Sequence, residues 1–135
     1  MGFVNEGEGF LFDLLCDNVS TVTDLYVGLV YETPGETDTL ADISEEDDPN
    51  YSRQVIPFSS VQVDGDNVTY IENDSEIQFP AYSDDCNYTL NNFIVATSQD
   101  NTGILIGYGA LDSGYSPLSG EVLEFPAQSL KLELD

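Results

Sequence analysis

With 135 residues, 41% of them hydrophobic, the chain is long enough for one compact domain that buries roughly two-thirds of its unfolded surface. Its 26 carboxylates face two cations, Arg53 and Lys131, for a net charge of -24. That excludes the basic patch on which nucleic-acid binding depends and predicts repulsion from anionic lipid headgroups. The complete lack of histidine excludes Ser-His-Asp and Cys-His catalysis and any His-bearing zinc site.

In chain order, "GFLFDLLCD" places Phe10, Leu11, Leu14 and Leu15 at helical spacing, which predicts a short amphipathic helix from about Gly9 to Asp17. Its apolar side, with Phe10 and Leu14, is a candidate surface for packing on a sheet or a neighbouring subunit. "DLYVGLVYE" alternates as a strand, with Leu25, Val27, Leu29 and Tyr31 on one face. The loop "TPGETDTLADISEEDDPN" follows. Together with Glu32 at its entry it holds eight acids, Glu36, Asp38, Asp42, Glu45, Glu46, Asp47 and Asp48 being the others, and it reads as too charged for a core.

From Tyr51 onward, short strands alternate with turn residues. "RQVIPFSSVQV" reads as one long or bent strand broken at Pro57, and "DGDN" as a hairpin turn into "VTYIE". "SEIQFPAY" is a further short strand. "NNFIVATS" and "ILIGYGAL", joined by "QDNTG", form a central hairpin apolar enough to be covered on both faces. "EVLEF" and "SLKLELD" close the chain, the latter with Leu130, Leu132 and Leu134 inward. Eight to nine strands at this spacing predict an all-β fold, a jelly-roll or Greek-key β-sandwich spanning 24–135, preceded by an N-terminal helical segment over 1–23.

A surface this acidic repels itself in ordinary buffer and becomes tolerable at about 1 M salt, where the Debye length is about 3 Å. Adaptation to high salt is the expectation, with charge kept only for solubility, or for a basic or metal-rich partner, as the alternative. Apolar runs stay well short of the roughly 20 residues of a membrane span. The start "MGFVNEGEGF" lacks a basic signal-peptide region, so the expectation is a chain made and folded in a cytoplasm.

Several strings carry possible chemistry. "DSG" at Asp112 to Gly114 resembles an aspartic-protease loop, but it also suits any turn. "DISEEDD", "DGDN" and "SDDCN" offer oxygen ligands for calcium or magnesium, yet match no EF-hand and read first as solvated loop charge, so no cofactor is expected. Four N-x-S/T strings, at Asn18, Asn67, Asn73 and Asn87, are possible glycan acceptors or simply asparagine-bearing turns. Cys16 and Cys86 form no CxxC motif and read as unpaired thiols, with a disulfide as the alternative.

The order of short motifs carries a resemblance. "DLYVGLVYETPGE", "YSRQVIPF", "IQFPAY", "NNFIVATSQDNTGILIGYGAL" and "SGEVLEFPAQSLKLELD" together resemble a family of small virion proteins of tailed phages and archaeal tailed viruses, often described as tail fibre or minor structural proteins. Tyr51, Arg53 and Gln54 match a YARQ-type motif, with Ser52 at its alanine position. Phe79, Pro80 and Ala81 match an FPAA string, Gly107 to Leu111 a hairpin return, and Leu132 to Asp135 an LD terminus. The departures are the acidic loop from Glu36 to Asp48 and the turn "DNTG".

The resemblance implies a non-enzymatic virion component that contacts a major capsid protein or tail proteins, commonly as a homo-oligomer with a trimer favoured. Capsid decoration is the first expectation, and a tail tip, fibre or baseplate role the alternative. A glycan- or calcium-binding module and an acid-dependent hydrolase using Asp112 are the competing classes. Arg53 itself is expected to clamp a carboxylate or loop carbonyls beside Tyr51, with a subunit contact as the other role.

Overall fold

A computed structural model of the chain describes residues 2–16 and 24–134, of which residues 12–16 and 134 are described by backbone alone. Among them the elements run β1 (Gly2–Phe3), α1 (Asn5–Cys16), β2 (Tyr26–Val30), β3 (Gln54–Val55), β4 (Gln62–Val63), β5 (Thr69–Glu72), β6 (Ile77–Gln78), β7 (Leu90–Ala96), β8 (Leu105–Tyr115), β9 (Glu124–Phe125) and β10 (Lys131–Leu134). They form a five-stranded sheet β1-β8-β7-β2-β3, a three-stranded sheet β10-β5-β4 and a two-stranded sheet β6-β9. Every pairing is antiparallel. The described residues form an all-β sandwich with one short helix.

The helix starts earlier than the leucine spacing suggests. Val4 is fully buried and bonds through its amide to the Ile106 carbonyl, and the Asn5 amide reaches Glu36 O at 2.9 Å. These anchors start α1 at Asn5, and Glu6 and Glu8 place negative charge in its first turn, where the helix dipole favours it. Gly7 permits the close approach: a Cβ there would lie 2.0 Å from the Ile106 carbonyl oxygen. Before the helix, β1 pairs with β8 through Gly2↔Tyr108 and Phe3↔Gly107. Phe10 enters the main core, so the N-terminal segment packs directly on the sandwich.

The main core lies between the sheets and gathers Val27 and Leu29 of β2, Val95 of β7, Ile106 of β8, Phe79, Phe125, Leu130 and Leu132. A second cluster, Val4, Val30, Leu40, Ile94, Ala96 and Leu105, covers the other face of the large sheet. Leu40 comes from the acidic loop. The loop therefore folds back over β2 and β7, and their faces are both buried because it does. Its high charge suggested a solvated excursion; the structure makes it a layer of the fold.

Pro57 breaks the strand after Arg53 as expected. β3 ends at Val55, the chain crosses to the smaller sheet with Phe58 bridged to Asn73, and β4 then pairs with β5. The "DGDN" turn closes that hairpin. Asp64 Oδ1 accepts the amides of Asp66 and Val68, and Asn67 takes a left-handed φ of 63°. In the central hairpin, β7 takes two steps from Leu90 to Asn92 where β8 takes five from Ala110 to Tyr115. The additional residues of β8 form a wide bulge that carries Asp112 and Ser113.

Candidate functional site: the Arg53 node

Arg53 immediately precedes β3 and is turned inward, with its side chain only 2% exposed. Its Nε bonds Glu45 Oε2 at 2.8 Å and its Nη2 bonds Glu45 Oε1 at 2.7 Å, a two-point fork on one carboxylate. Nη1 donates to the carbonyls of Ser98 and Asp100, and Nη2 donates further to Asn101 Oδ1 at 2.8 Å. A guanidinium has five N–H donors. All five are taken, so none remains for a ligand.

Tyr51 completes the node. Its hydroxyl donates to Glu45 Oε2 at 2.8 Å and accepts the Leu29 amide of β2 at 3.0 Å. Burial first, and then the Glu45 charge, push the Tyr51 phenol well above its ordinary value, which keeps it a proton donor. The space for this arrangement is provided by Gly28. A Cβ there would come within 2.8 Å of both Glu45 Oε2 and the Tyr51 hydroxyl. A glycine inside a buried strand is thus explained by a hydrogen-bonded pair lying across it.

Glu46 repeats the device on the other side of the loop. Its side chain is buried; Oε1 accepts the Tyr88 hydroxyl at 2.8 Å and the amides of Asp47 and Asp48, and Oε2 accepts the Tyr82 hydroxyl at 2.9 Å. Burial, then Glu46, push both phenols upward. Asp48 adds a third anchor by accepting the amides of Ser83, Asp84 and Asn50. The loop's carboxylates thus satisfy donors from the sandwich and from the loop itself, and Arg53 supplies the single positive charge among these contacts.

Of the residues singled out in the sequence, Tyr51 and Arg53 converge on Glu45. Gln54 does not join them: its amide nitrogen bonds the Ser52 carbonyl and hydroxyl, and its backbone pairs with Val27 of β2. Phe10 is a core residue of α1, and the Leu14 side chain lies outside the described residues. Asp112 and Ser113 are exposed on the β8 bulge. Asn73 is fully buried, bonding Ser75 O, Pro126 O and the Leu130 amide, which removes it as a glycan acceptor. Asn18 lies outside the described residues.

Cys86 is a free thiol bonded to the Tyr88 carbonyl at 3.1 Å, while the Cys16 side chain lies outside the described residues. Among the described residues no group of three or more Cys, Asp or Glu side chains is arranged to hold a metal ion, and no helix is long and apolar enough to cross a membrane. The residues that sequence reasoning missed are Glu45 and Glu46. Their signal was weak because they sit in a run of like residues; only their place just before "NYSRQ" distinguished them.

Compared with known families, residues 8–133 match the family described as Podophage GP4 fiber I protein gp80. No curated protein matches the chain.

Proposed function

Because the chain belongs to the podophage GP4 fiber I protein gp80 family and is a structural protein of the virion, we propose that it is a non-enzymatic component of the viral tail, built into or attached to a fibre and held by other tail proteins. The observation that carries this reading is the family match over residues 8–133, which takes in β2 to β9 and reaches into β10, leaving β1 outside it. The interior supports it. Arg53, the best candidate for a ligand-binding or catalytic cation, spends every donor on the fold. The loop most open to recruitment as a site is instead tied down by Glu45, Glu46 and Asp48.

The experiment is to separate heads from tails in purified particles and quantify the chain in each by mass spectrometry. The tail reading expects it in the tail fraction at fixed stoichiometry. Capsid decoration, the other virion role the sequence suggested, expects it in the head fraction, and that result would overturn the proposal.

A further inference from the structure

The β8 bulge leads into a surface of unusual composition for so acidic a chain. From Ser113 to Gly120 there is no charged residue, and all but the buried Pro117 are exposed. Beside this stretch stand the exposed and uncharged Asn87, Thr89 and Asn91. The two segments are joined. Leu90 pairs with Tyr115, the Cys86 amide reaches Pro117 O at 2.8 Å, and Ser116 Oγ donates to Tyr88 O at 3.0 Å. Acids border this face without making it up: Asp112 precedes it, Asp85 accepts the Ser119 amide and Glu121 accepts the Tyr115 hydroxyl. Asp112, Ser113 and Tyr115 also line a cavity of about 320 Å³ whose other walls include Phe93, Val122 and Phe125. That volume is at the small end of small-molecule sites, which run from about 300 to 1,000 Å³.

We propose that this face and its cavity bind a neutral saccharide. A sugar ring presents hydroxyls at its edge and C–H groups on its faces, and the surface offers partners for both. Tyr115 is 40% exposed, Leu118 54% and Val122 46%, which gives the C–H faces apolar contact. The polar groups are acceptors with capacity to spare. Asn91 Nδ2 donates to the Tyr31 and Thr89 carbonyls, leaving Oδ1 to accept, and Ser119 Oγ donates to Ser83 O, leaving its lone pairs. Such acceptors fit a ligand rich in hydroxyl donors.

Charge and composition select this occupant. A net charge of -24 opposes sulfated and other acidic glycans, and a cationic ligand is drawn to the acid-rich segments in preference to the face that lacks them. Protein interfaces are depleted in serine, yet Ser113, Ser116 and Ser119 are three of the eight residues in the stretch. Tyrosine, serine, glycine and asparagine together form a surface of rigid aromatic area and adaptable hydrogen bonding. The uncharged crossing between β3 and β4 exposes Val55, Val61 and Val63 instead, which offer a sugar no hydrogen bond. The stretch is also held in place before any ligand arrives: the Gly120 amide bonds Tyr82 O and the Ser119 amide bonds Asp85 Oδ1, each at 2.8 Å. Ordering costs on binding are correspondingly small. The inference concerns a ligand of the chain and does not depend on where in the particle the chain resides.

The test applies fluorescently labelled protein to an array of neutral, sialylated and sulfated oligosaccharides at low and at multimolar KCl. Titration calorimetry with the best neutral ligand then compares the parent with Tyr115→Ala, Ser113→Leu and, on the other uncharged stretch, Val61→Thr. Neutral oligosaccharides are expected to bind at both salt concentrations, because contacts between uncharged groups are not screened. Acidic ones are expected not to bind. Affinity should fall about tenfold in Tyr115→Ala, the scale of one aromatic contact, and at least as far in Ser113→Leu, which obstructs the cavity; Val61→Thr should bind as the parent does. Ser113 is exposed, so Ser113→Leu decides the matter if Tyr115→Ala fails to fold. An array without a bound neutral glycan overturns the proposal, and so does parental affinity in both site variants. Density of another virion protein over Tyr115 and Leu118 in the assembled particle would overturn it too, by showing a protein as the occupant.

Discussion

Arg53 and Glu45 join through two parallel hydrogen bonds of 2.8 and 2.7 Å, and the guanidinium that makes them is almost wholly removed from solvent. The fork ties the acidic loop to the strand start, while the other guanidinium donors tie both to the β7-β8 turn at Ser98, Asp100 and Asn101. Lysine carries the charge without the planar fork. Arg53→Lys is therefore expected to cost roughly 1.5–3 kcal/mol, the scale of hydrogen bonds lost to charged groups. Arg53→Ala, which strands Glu45, should cost about 3–5 kcal/mol. Urea denaturation checks both, and an Arg53→Lys protein as stable as the parent would remove the clamp.

Gly28 makes a second, independent test of the same node. A methyl group there meets Glu45 Oε2, the Tyr51 hydroxyl and Ile94 Cγ1, and the first two are held in place by their hydrogen bonds to each other, to Arg53 and to the Leu29 amide. Gly28→Ala should destabilise the protein by about 1–3 kcal/mol through overpacking. The accompanying Tyr51→Phe change should relieve part of that cost by removing one of the obstructing atoms. Additive effects in the double mutant, read from denaturation midpoints, would contradict the close packing.

The strands of the central hairpin were legible because their apolar runs are long and bounded by turn residues, and "SLKLELD" because it alternates. The first turns of α1 were not. Gly7 and Gly9 lower helix propensity, and the reason for Gly7 is the Ile106 carbonyl about a hundred residues away, which no local pattern encodes. The loop's place in the core was equally hidden, since Leu40 and Ile43 are two apolar residues in a strongly acidic loop and Glu46 is one acid in a run of four. Arg53 stood out by rarity. Its partner could not, because the loop and its entry offer eight acids and only the fold selects Glu45.

Glu6 predicts a pH effect with a definite sign. Its Oε2 is buried without a hydrogen-bond partner, and burial, joined by the nearby Asp42 charge, pushes its carboxyl up. A carboxyl raised in the folded state favours folding fully below its unfolded-state value, and that contribution is lost as pH rises through the folded-state value. Glu6→Gln should therefore raise the melting temperature relative to the parent at pH 7 and lose this advantage below about pH 4. Equal melting temperatures at pH 7 would contradict the burial of Oε2.

Cys86 should be a slow nucleophile. Burial, reinforced by Glu46, pushes its thiol up, so little thiolate exists near neutral pH. In a Cys16→Ser background, alkylation by iodoacetamide at pH 8 is expected to be at least tenfold slower in the native protein than in urea. Comparable rates would show that the Glu46 pocket is open in solution.

The net charge of -24 leads us to propose adaptation to high salt. The melting temperature is expected to rise from low to multimolar KCl as repulsion between carboxylates is screened. A melting temperature independent of salt would limit the acids to keeping the protein soluble.

The placement of the chain in the tail is tested most directly by a reconstruction of the intact particle by electron cryomicroscopy, with the sandwich fitted to the map. The account predicts density for the β7-β8 hairpin and the loop over it in a fibre or its attachment to the tail. The same density repeated over the capsid shell, with none on the tail, would contradict it.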